Sequence, residues 1–339
     1  MLEIARRLAS WELETRLFAG VISPDLLSQA RHEAEYAAFM GNPNDLLFYH
    51  YAAYATNVAL YCRSANRKVL VYHNITPAAY FRGYDVYLEM TCRSGRLILP
   101  SLRGCELVLA DSDVNRAELV RFGFPAERTV SRPPFVPLEA LAQASENHHL
   151  LRRYSDGFSN FLFVGRVAPN KAYEDLICIF HCYHRHINPR SRFFLVGSRF
   201  LPEYDRRLAA LVEALGLQEH VIFTGKVSLG DLKTYYLLAD LFLSASRHEG
   251  FCMPLVECMA FDVPIVALAA AAVPETLGEA GVLYHQMDYP LVAETVHLVL
   301  NDEDLRQRII QKQQERLRDF SPGRIEARLR EILGRLGVL

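Results

Sequence analysis

ADLFLSASRHEGFCMPLVECMAFDVPIVAL, residues 239–268, begins and ends on a short apolar run and carries two glutamates between them, Glu249 and Glu257. The runs 239–245 and 263–268 are too short for helices and have the make-up of buried strands. Gly250 permits an unusual turn and Pro254 suits a first helical turn, so the spacing predicts strand, turn, helix and strand. Two strands joined through a helix run parallel, which makes the segment one βα unit. The free N–H groups of Phe251 to Leu255, those of Phe251, Cys252, Met253 and Leu255, are then expected to point across the carboxyl edge of the sheet, where they form an anion site. Glu249 falls at the strand end and Glu257 in the first helical turns, so two carboxylates face one ligand rich in hydroxyls.

The same alternation extends in both directions. In the second half, NFLFVGR (160–166), SRFFLVGS (191–198), HVIFTG (220–225) and GVLYH (281–285) read as further strands. In the first half the candidates are LFAGVI (17–22), DLLFYHY (45–51), KVLVYH (68–73) and ELVLAD (106–111), closed by TVSRPPF (129–135). Strands that alternate with helical stretches predict a doubly wound α/β protein. Pro133, Pro134 and Pro137 end the first series, and the polar stretch 139–159 is the expected linker. The expected domains are 1–150, 151–305 and a helical tail, 306–339, divided into two helices at Ser321, Pro322 and Gly323.

The second chemical element lies at the end of NFLFVGR: Gly165 and Arg166, then Pro169, Asn170 and Lys171. A glycine tip with a bidentate guanidinium and an ammonium point charge suits a diphosphate. The chain has 339 residues, 37 basic against 39 acidic, for a net charge of −2. No global positive field gathers nucleic acid. The seven cysteines lie mostly in apolar runs, an arrangement of reduced thiols, and the opening residues carry acids where a signal peptide is apolar. A cytoplasmic protein is expected.

Taken together and in this order, FVGR with Lys171, FFLVGS, VIFTGKV, LADLFLSASRHEGFCMPLVECMA, VPIVAL and VPETLGEAGVLY resemble family 4 of the retaining, nucleotide-sugar-dependent glycosyltransferases. The resemblance covers nearly all of residues 160–285 and implies the GT-B fold, two Rossmann-like domains facing a central cleft. It assigns the donor diphosphate to Arg166 and Lys171 beside Gly165, and the transferred sugar to Glu249. The ribose falls to Glu257 and the base to the Lys226 to Val227 segment. Sugar or phosphate falls to the backbone of Phe251, Cys252 and Met253. His73, within VYHNITP (71–77), resembles the family's active-site histidine, which lies against the donor sugar from the amino-terminal domain. A single histidine at a strand end also fits an ordinary structural role.

The implied activity is retaining transfer of a hexose to a surface polysaccharide or lipid-linked glycan. UDP-glucose is the leading donor and GDP-mannose its nearest competitor; no metal or other cofactor is expected. The chain departs from the family at its start, where Met1 to Leu13 already reads as the first helix. The first strand and its glycine-rich loop are then missing, which makes a non-catalytic nucleotide-sugar binder the rival reading. Ala269 to Ala272 stand where members often have glycines and are expected to crowd the sugar pocket. Asp111-Ser112-Asp113 matches a metal-binding Asp-x-Asp, but Ser112 or Asp113 capping the next helix accounts for it. Cys178, His181 and Cys182 fall within one predicted helix, the pattern of a packed face rather than a metal site. The arginines from Arg324 to Arg335 read as a solvated helix face, with a peripheral membrane contact as the weaker reading.

Overall fold

The computed structural model describes residues 1–338. The chain divides into two compact units, one of Met1–Ala79, Tyr87–Phe135 and Pro322–Leu339, the other of Tyr80–Val86 and Val136–Ser321.

In the first unit β1 (Leu17–Ala19) and β2 (Ala30–His32) form a separate parallel pair. The strand expected over 17–22 is therefore three residues long and lies outside the main sheet, because Gly20 and Val21, the latter almost fully exposed, lead the chain out to solvent. The main sheet consists of β3 (Leu46–Tyr51), β4 (Arg67–Tyr72), β5 (Leu107–Ala110) and β6 (Thr129–Ser131), parallel and in that spatial order. Alternate residues Val69, Val71, Leu107 and Leu109 point to one face, as strand periodicity requires. There they pack with Ile4 and Leu8 of the helix Leu2–Ser10 and with Leu329, Ile332 and Leu333 of the helix Pro322–Gly334.

Among the described residues β3 is an edge strand, paired with β4 alone. The carbonyls of Asp45 and Tyr51 accept from the Arg67 and His73 amides of the β4 side, at 3.0 and 2.9 Å. Alternation along the strand then turns the amides and carbonyls of Leu46, Phe48 and His50 to the free edge. That edge borders a cavity of about 570 Å³, with Ile4, Leu8, Leu13 and Tyr36 among its walls.

The second unit has one six-stranded parallel sheet: β7 (Ser159–Val164), β8 (Ser191–Val196), β9 (Val221–Gly225), β10 (Leu241–Ser244), β11 (Ile265–Leu268) and β12 (Val282–Tyr284). The spatial order is β12-β11-β10-β7-β8-β9, so the winding reverses between β7 and β10. Gly197, after β8, lets two loops cross closely, since a Cβ there would lie 1.7 Å from the Gly165 carbonyl oxygen.

Two boundaries differ from expectation. The stretch 139–159 is not a free linker: the helices Leu138–Gln143 and His148–Tyr154 dock on the helix Leu229–Leu238. Asn147 donates to Asp231 at 2.7 Å, and Lys233 donates to the Ala142 carbonyl at 2.9 Å. The long segment of the second unit accordingly starts at Val136 rather than 151, and Tyr80–Val86 joins it from within the expected first domain. Nor is 306–339 a single tail. The helix Glu303–Leu317 belongs to the second unit, where Gln313 donates to the Val263 carbonyl at 2.8 Å, while the last helix completes the core of the first.

Candidate active site

The reversal of winding places the loops after β7 and β10 side by side at the carboxyl edge of the second unit's sheet, the crevice where open α/β sheets take ligands. Asn170 joins them. Its carbonyl accepts from the Arg247 amide at 2.9 Å, and its side chain donates to the His248 carbonyl at 3.2 Å. Lys171 Nζ then meets Glu249 Oε1 at 2.5 Å, with the glutamate only 8% exposed. Two residues expected to serve one ligand are thus brought into contact. Gly165 sits at the turn, where its carbonyl accepts from the Tyr173 hydroxyl at 2.6 Å. Arg166 is exposed, lies over the Phe200 ring at 5.3 Å, and has no carboxylate partner among the described residues.

On the other loop, Cys252 takes the left-handed conformation (φ 73°) and leads into the helix Met253–Ala260. The amides of Phe251, Cys252 and Met253 have no acceptor among the described residues. Leu255, expected to offer a fourth, does not: its amide donates to the Cys252 carbonyl at 3.1 Å, because the tight first turn takes it up. Burial, with Glu249 beside it, pushes the Cys252 thiol well up, so it stays protonated. The run Ala269 to Ala272 lies against this loop, the Ala272 amide donating to the Glu249 carbonyl at 3.4 Å. Ala271 adopts a left-handed conformation (φ 49°) that favours glycine.

Glu257 accepts from the buried Tyr236 hydroxyl at 2.5 Å. Burial pushes the Glu257 carboxyl above its ordinary range, and the hydroxyl's donation offsets part of that rise. Lys226 and Val227 come after β9 at the sheet's edge, with β8 between them and β7, and stand apart from the Lys171–Glu249 pair.

In the first unit three polar residues each come directly after a strand: His73 after β4, Asp111 after β5 and Arg132 after β6. His73 Nδ1 lies 2.8 Å from Asp111 Oδ2, and His73 Nε2 lies 2.7 Å from Nδ1 of His50 in β3. The left-handed Asn74 (φ 69°) turns the chain away immediately after the histidine, and its side chain donates to Asn115 at 2.7 Å. Ser112 caps the helix Asp113–Arg121, accepting from the Asn115 amide at 3.2 Å, as expected. Asp111 has a different task from the capping read for its neighbours, because its carboxylate is bonded to His73. Arg132 is 2% exposed, and burial draws its guanidinium down to about 10 while Asp111 pulls it back up.

The sequence places Asn170 beside Lys171 without a role, and Tyr236, His50 and Arg132 are not among its candidates. His50 carries a signal, being a second histidine at the end of an apolar strand; Tyr236 carries none beyond residue type. All seven cysteines are free. No helix among the described residues is long and apolar enough to cross a membrane.

Residues 155–316 match the family described as "Glycosyl transferases group 1". Over this segment the chain is similar to the group 1 glycosyl transferases. Over 248 residues it is 26% identical to the O-antigen chain mannosyltransferase B of Escherichia coli, covering 71% of this chain and 63% of that one. Over 172 residues it is 32% identical to the mannosylfructose-phosphate synthase of Agrobacterium fabrum, covering 48% of this chain and 38% of that one. The chain thus spans less than two thirds of these relatives' lengths. Anabaena HepE, solved in complex with UDP and glucose, shares the fold with a TM-score of 0.72 at 18% identity, over 97% of this chain and 88% of that one. The group 1 segment begins just ahead of β7 and ends within the helix Glu303–Leu317, so it holds every donor-site candidate described above for the second unit.

If Glu257 takes the donor ribose, as the family resemblance implies, its ionised form accepts best from the hydroxyls, so nucleoside diphosphate affinity should fall as pH drops through the Glu257 titration. Removing the donor in Tyr236→Phe should move that fall to higher pH, whereas pyrophosphate, which has no ribose, should be unaffected. Calorimetry with UDP, GDP and pyrophosphate between about pH 4 and 8 checks it; coincident profiles for wild type and variant would refute it.

Proposed function

We propose that this protein is a retaining hexosyltransferase that moves a hexose from a nucleoside diphosphate sugar to a glycan or lipid-linked acceptor of a surface polysaccharide. The observation that carries the reading is the assembly at the β7–β10 reversal: an unpaired Arg166, a Lys171–Glu249 pair, three free amides and the Tyr236-supported Glu257. A diphosphate leaving group gains charge as the glycosidic bond breaks, and Arg166, Lys171 and the amides of Phe251, Cys252 and Met253 are the groups suited to stabilise it. Glu249 orients the sugar and stabilises positive charge at the anomeric carbon, Glu257 holds the ribose, and His73 acts on the sugar. Lys226 and Val227 meet the base.

The donor is set by the base and the hexose. UDP-glucose leads on the family resemblance, while the E. coli relative named as a mannosyltransferase supports mannose, the hexose of the competing donor GDP-mannose. Calorimetry with UDP and GDP, without added divalent cation, should show binding. Arg166→Ala and Lys171→Ala should each weaken it by about 1.5–3 kcal/mol, the range for charge-assisted hydrogen bonds. Unchanged affinity in both variants would overturn the donor site. Release of nucleoside diphosphate from UDP-glucose and GDP-mannose, with and without a lipid-linked glycan extract, then selects the donor. Binding without turnover of either would favour a nucleotide-sugar binder.

A further inference from the structure

We propose that Asp111 and His50 are positioning residues that clamp the His73 ring through both of its nitrogens. The proposal rests on the reading of His73 as an active-site residue. Its ground is the placement of the three groups across the ends of β3, β4 and β5, with contacts of 2.7 and 2.8 Å that use both ring nitrogens and ring planes 17° apart.

A carboxylate only accepts hydrogen bonds, so the Asp111 contact requires the His73 proton to sit on Nδ1. Nε2 is then the atom offered to His50. Burial holds His50 well below the ordinary histidine range, so it is neutral and can serve Nε2 as a donor through its own Nδ1–H. The remaining charged groups acting on the trio are Arg132, after β6, and the α-amino group of Met1; both bear electrostatically on His50 and Asp111. Arg132 and the Asp111 carboxylate bear on one another electrostatically, and the carboxylate, an acceptor only, keeps the His73 tautomer. The His73 side chain is 33% exposed, so a ligand can reach the ring. With both nitrogens held, the ring is fixed in one orientation and meets a ligand with its exposed edge.

The test pairs a spectroscopic signature with kinetics. With ¹⁵N-labelled histidine, the His73 resonances of the wild type should report the Nδ1–H form at neutral pH. In Asp111→Asn the amide can donate to Nδ1, so the proton should move to Nε2. Turnover should fall about tenfold or more, with a changed pH profile and UDP or GDP affinity kept, because the loss falls on kcat rather than donor binding. Asp111→Glu should restore part of both the signature and the rate. His50→Phe should shift the His73 Nε2 resonance while leaving Nδ1 protonated, and His50→Gln, which keeps a donor, should restore it. A His73 tautomer unchanged in Asp111→Asn would overturn the proposal, and the spectra give that answer even without turnover. Failure of His73→Ala to slow an active enzyme would instead strike the underlying reading of His73. Loss of turnover in His73→Ala with normal kinetics in Asp111→Asn would strike the clamp alone.

Discussion

Glu249→Gln should lower turnover by about 100-fold or more while leaving nucleoside diphosphate affinity unchanged or slightly raised. The two directions have one cause. In the resting structure Glu249 is buried and holds Lys171 Nζ at 2.5 Å, so the lysine's charge is shared between the carboxylate and any diphosphate that arrives. The neutral amide releases Lys171 to the diphosphate, which favours product-like ligands. The same substitution removes the carboxylate proposed to stabilise developing positive charge on the sugar, and preorganised electrostatic groups of this kind contribute about 10²–10³ in kcat. Binding of UDP or GDP by calorimetry and turnover of the selected donor separate the two effects. A parallel fall in affinity and rate would mean that Glu249 is only a strut for Lys171. His73→Ala, assayed beside it, should also lower kcat with nucleoside diphosphate affinity kept, since the histidine is read as touching the sugar and not the nucleotide.

The second large effect is on stability. Leu329→Ala should destabilise the first unit by about 2–5 kcal/mol, the cost of a cavity left by a fully buried leucine. Leu329 is inaccessible to solvent, in the cluster that joins Val69, Val71, Leu107 and Leu109 to both covering helices. The chain has one tryptophan, and Trp11 donates its indole N–H to Glu326 of that last helix at 2.9 Å, with Arg330 over its ring at 4.4 Å. Its fluorescence therefore reports this unit by itself in urea. A Trp11 transition unmoved in Leu329→Ala would remove the last helix from this core. The same probe checks a dependence on pH. His50 titrates lower in the folded than in the unfolded state, so below the ordinary histidine value the unfolded chain binds more protons. Stability of the first unit is complete above that value and should decline as pH falls toward the folded one. His50→Phe should lose that part of the dependence.

Much of this was legible in the order of residues. Gly250 and Pro254 between two short apolar runs favour a strand-to-helix turn, because they act on local backbone geometry; the residue that takes the left-handed conformation there is Cys252. The carboxyl edge of a parallel sheet then collects the residues that leave each strand, so the place of Arg166, Lys171, Glu249 and His73 at such edges was legible from their offsets, while the role given to His73 came from the family resemblance. Offsets do not say what a side chain touches. Ser112 was legible as a cap because its bond is three residues away; Asp111, beside it, was not, because its partner lies 38 residues back on the neighbouring strand. The Leu255 amide was misjudged for the opposite reason, since a tight local turn consumed a donor that an average helix start leaves free. The polar stretch 139–159 read as a linker because its pattern shows no partner. The surface that holds it is the helix Leu229–Leu238, where Asn147 finds Asp231 84 residues onward.

The sequence by itself determined the alternating elements, the parallel sheets they imply and the cations and carboxylates that end the strands, all consequences of local propensity and period. Tertiary structure alone decided that the winding reverses between β7 and β10, that Lys171 pairs with Glu249, and that Tyr236 supports Glu257. It alone decided that His50, His73 and Asp111 form one hydrogen-bonded line and that the last helix returns to the first unit's core. Each of these depends on which strand lies beside which, and neighbourhood in a sheet is set by packing of the whole chain rather than by any window along it.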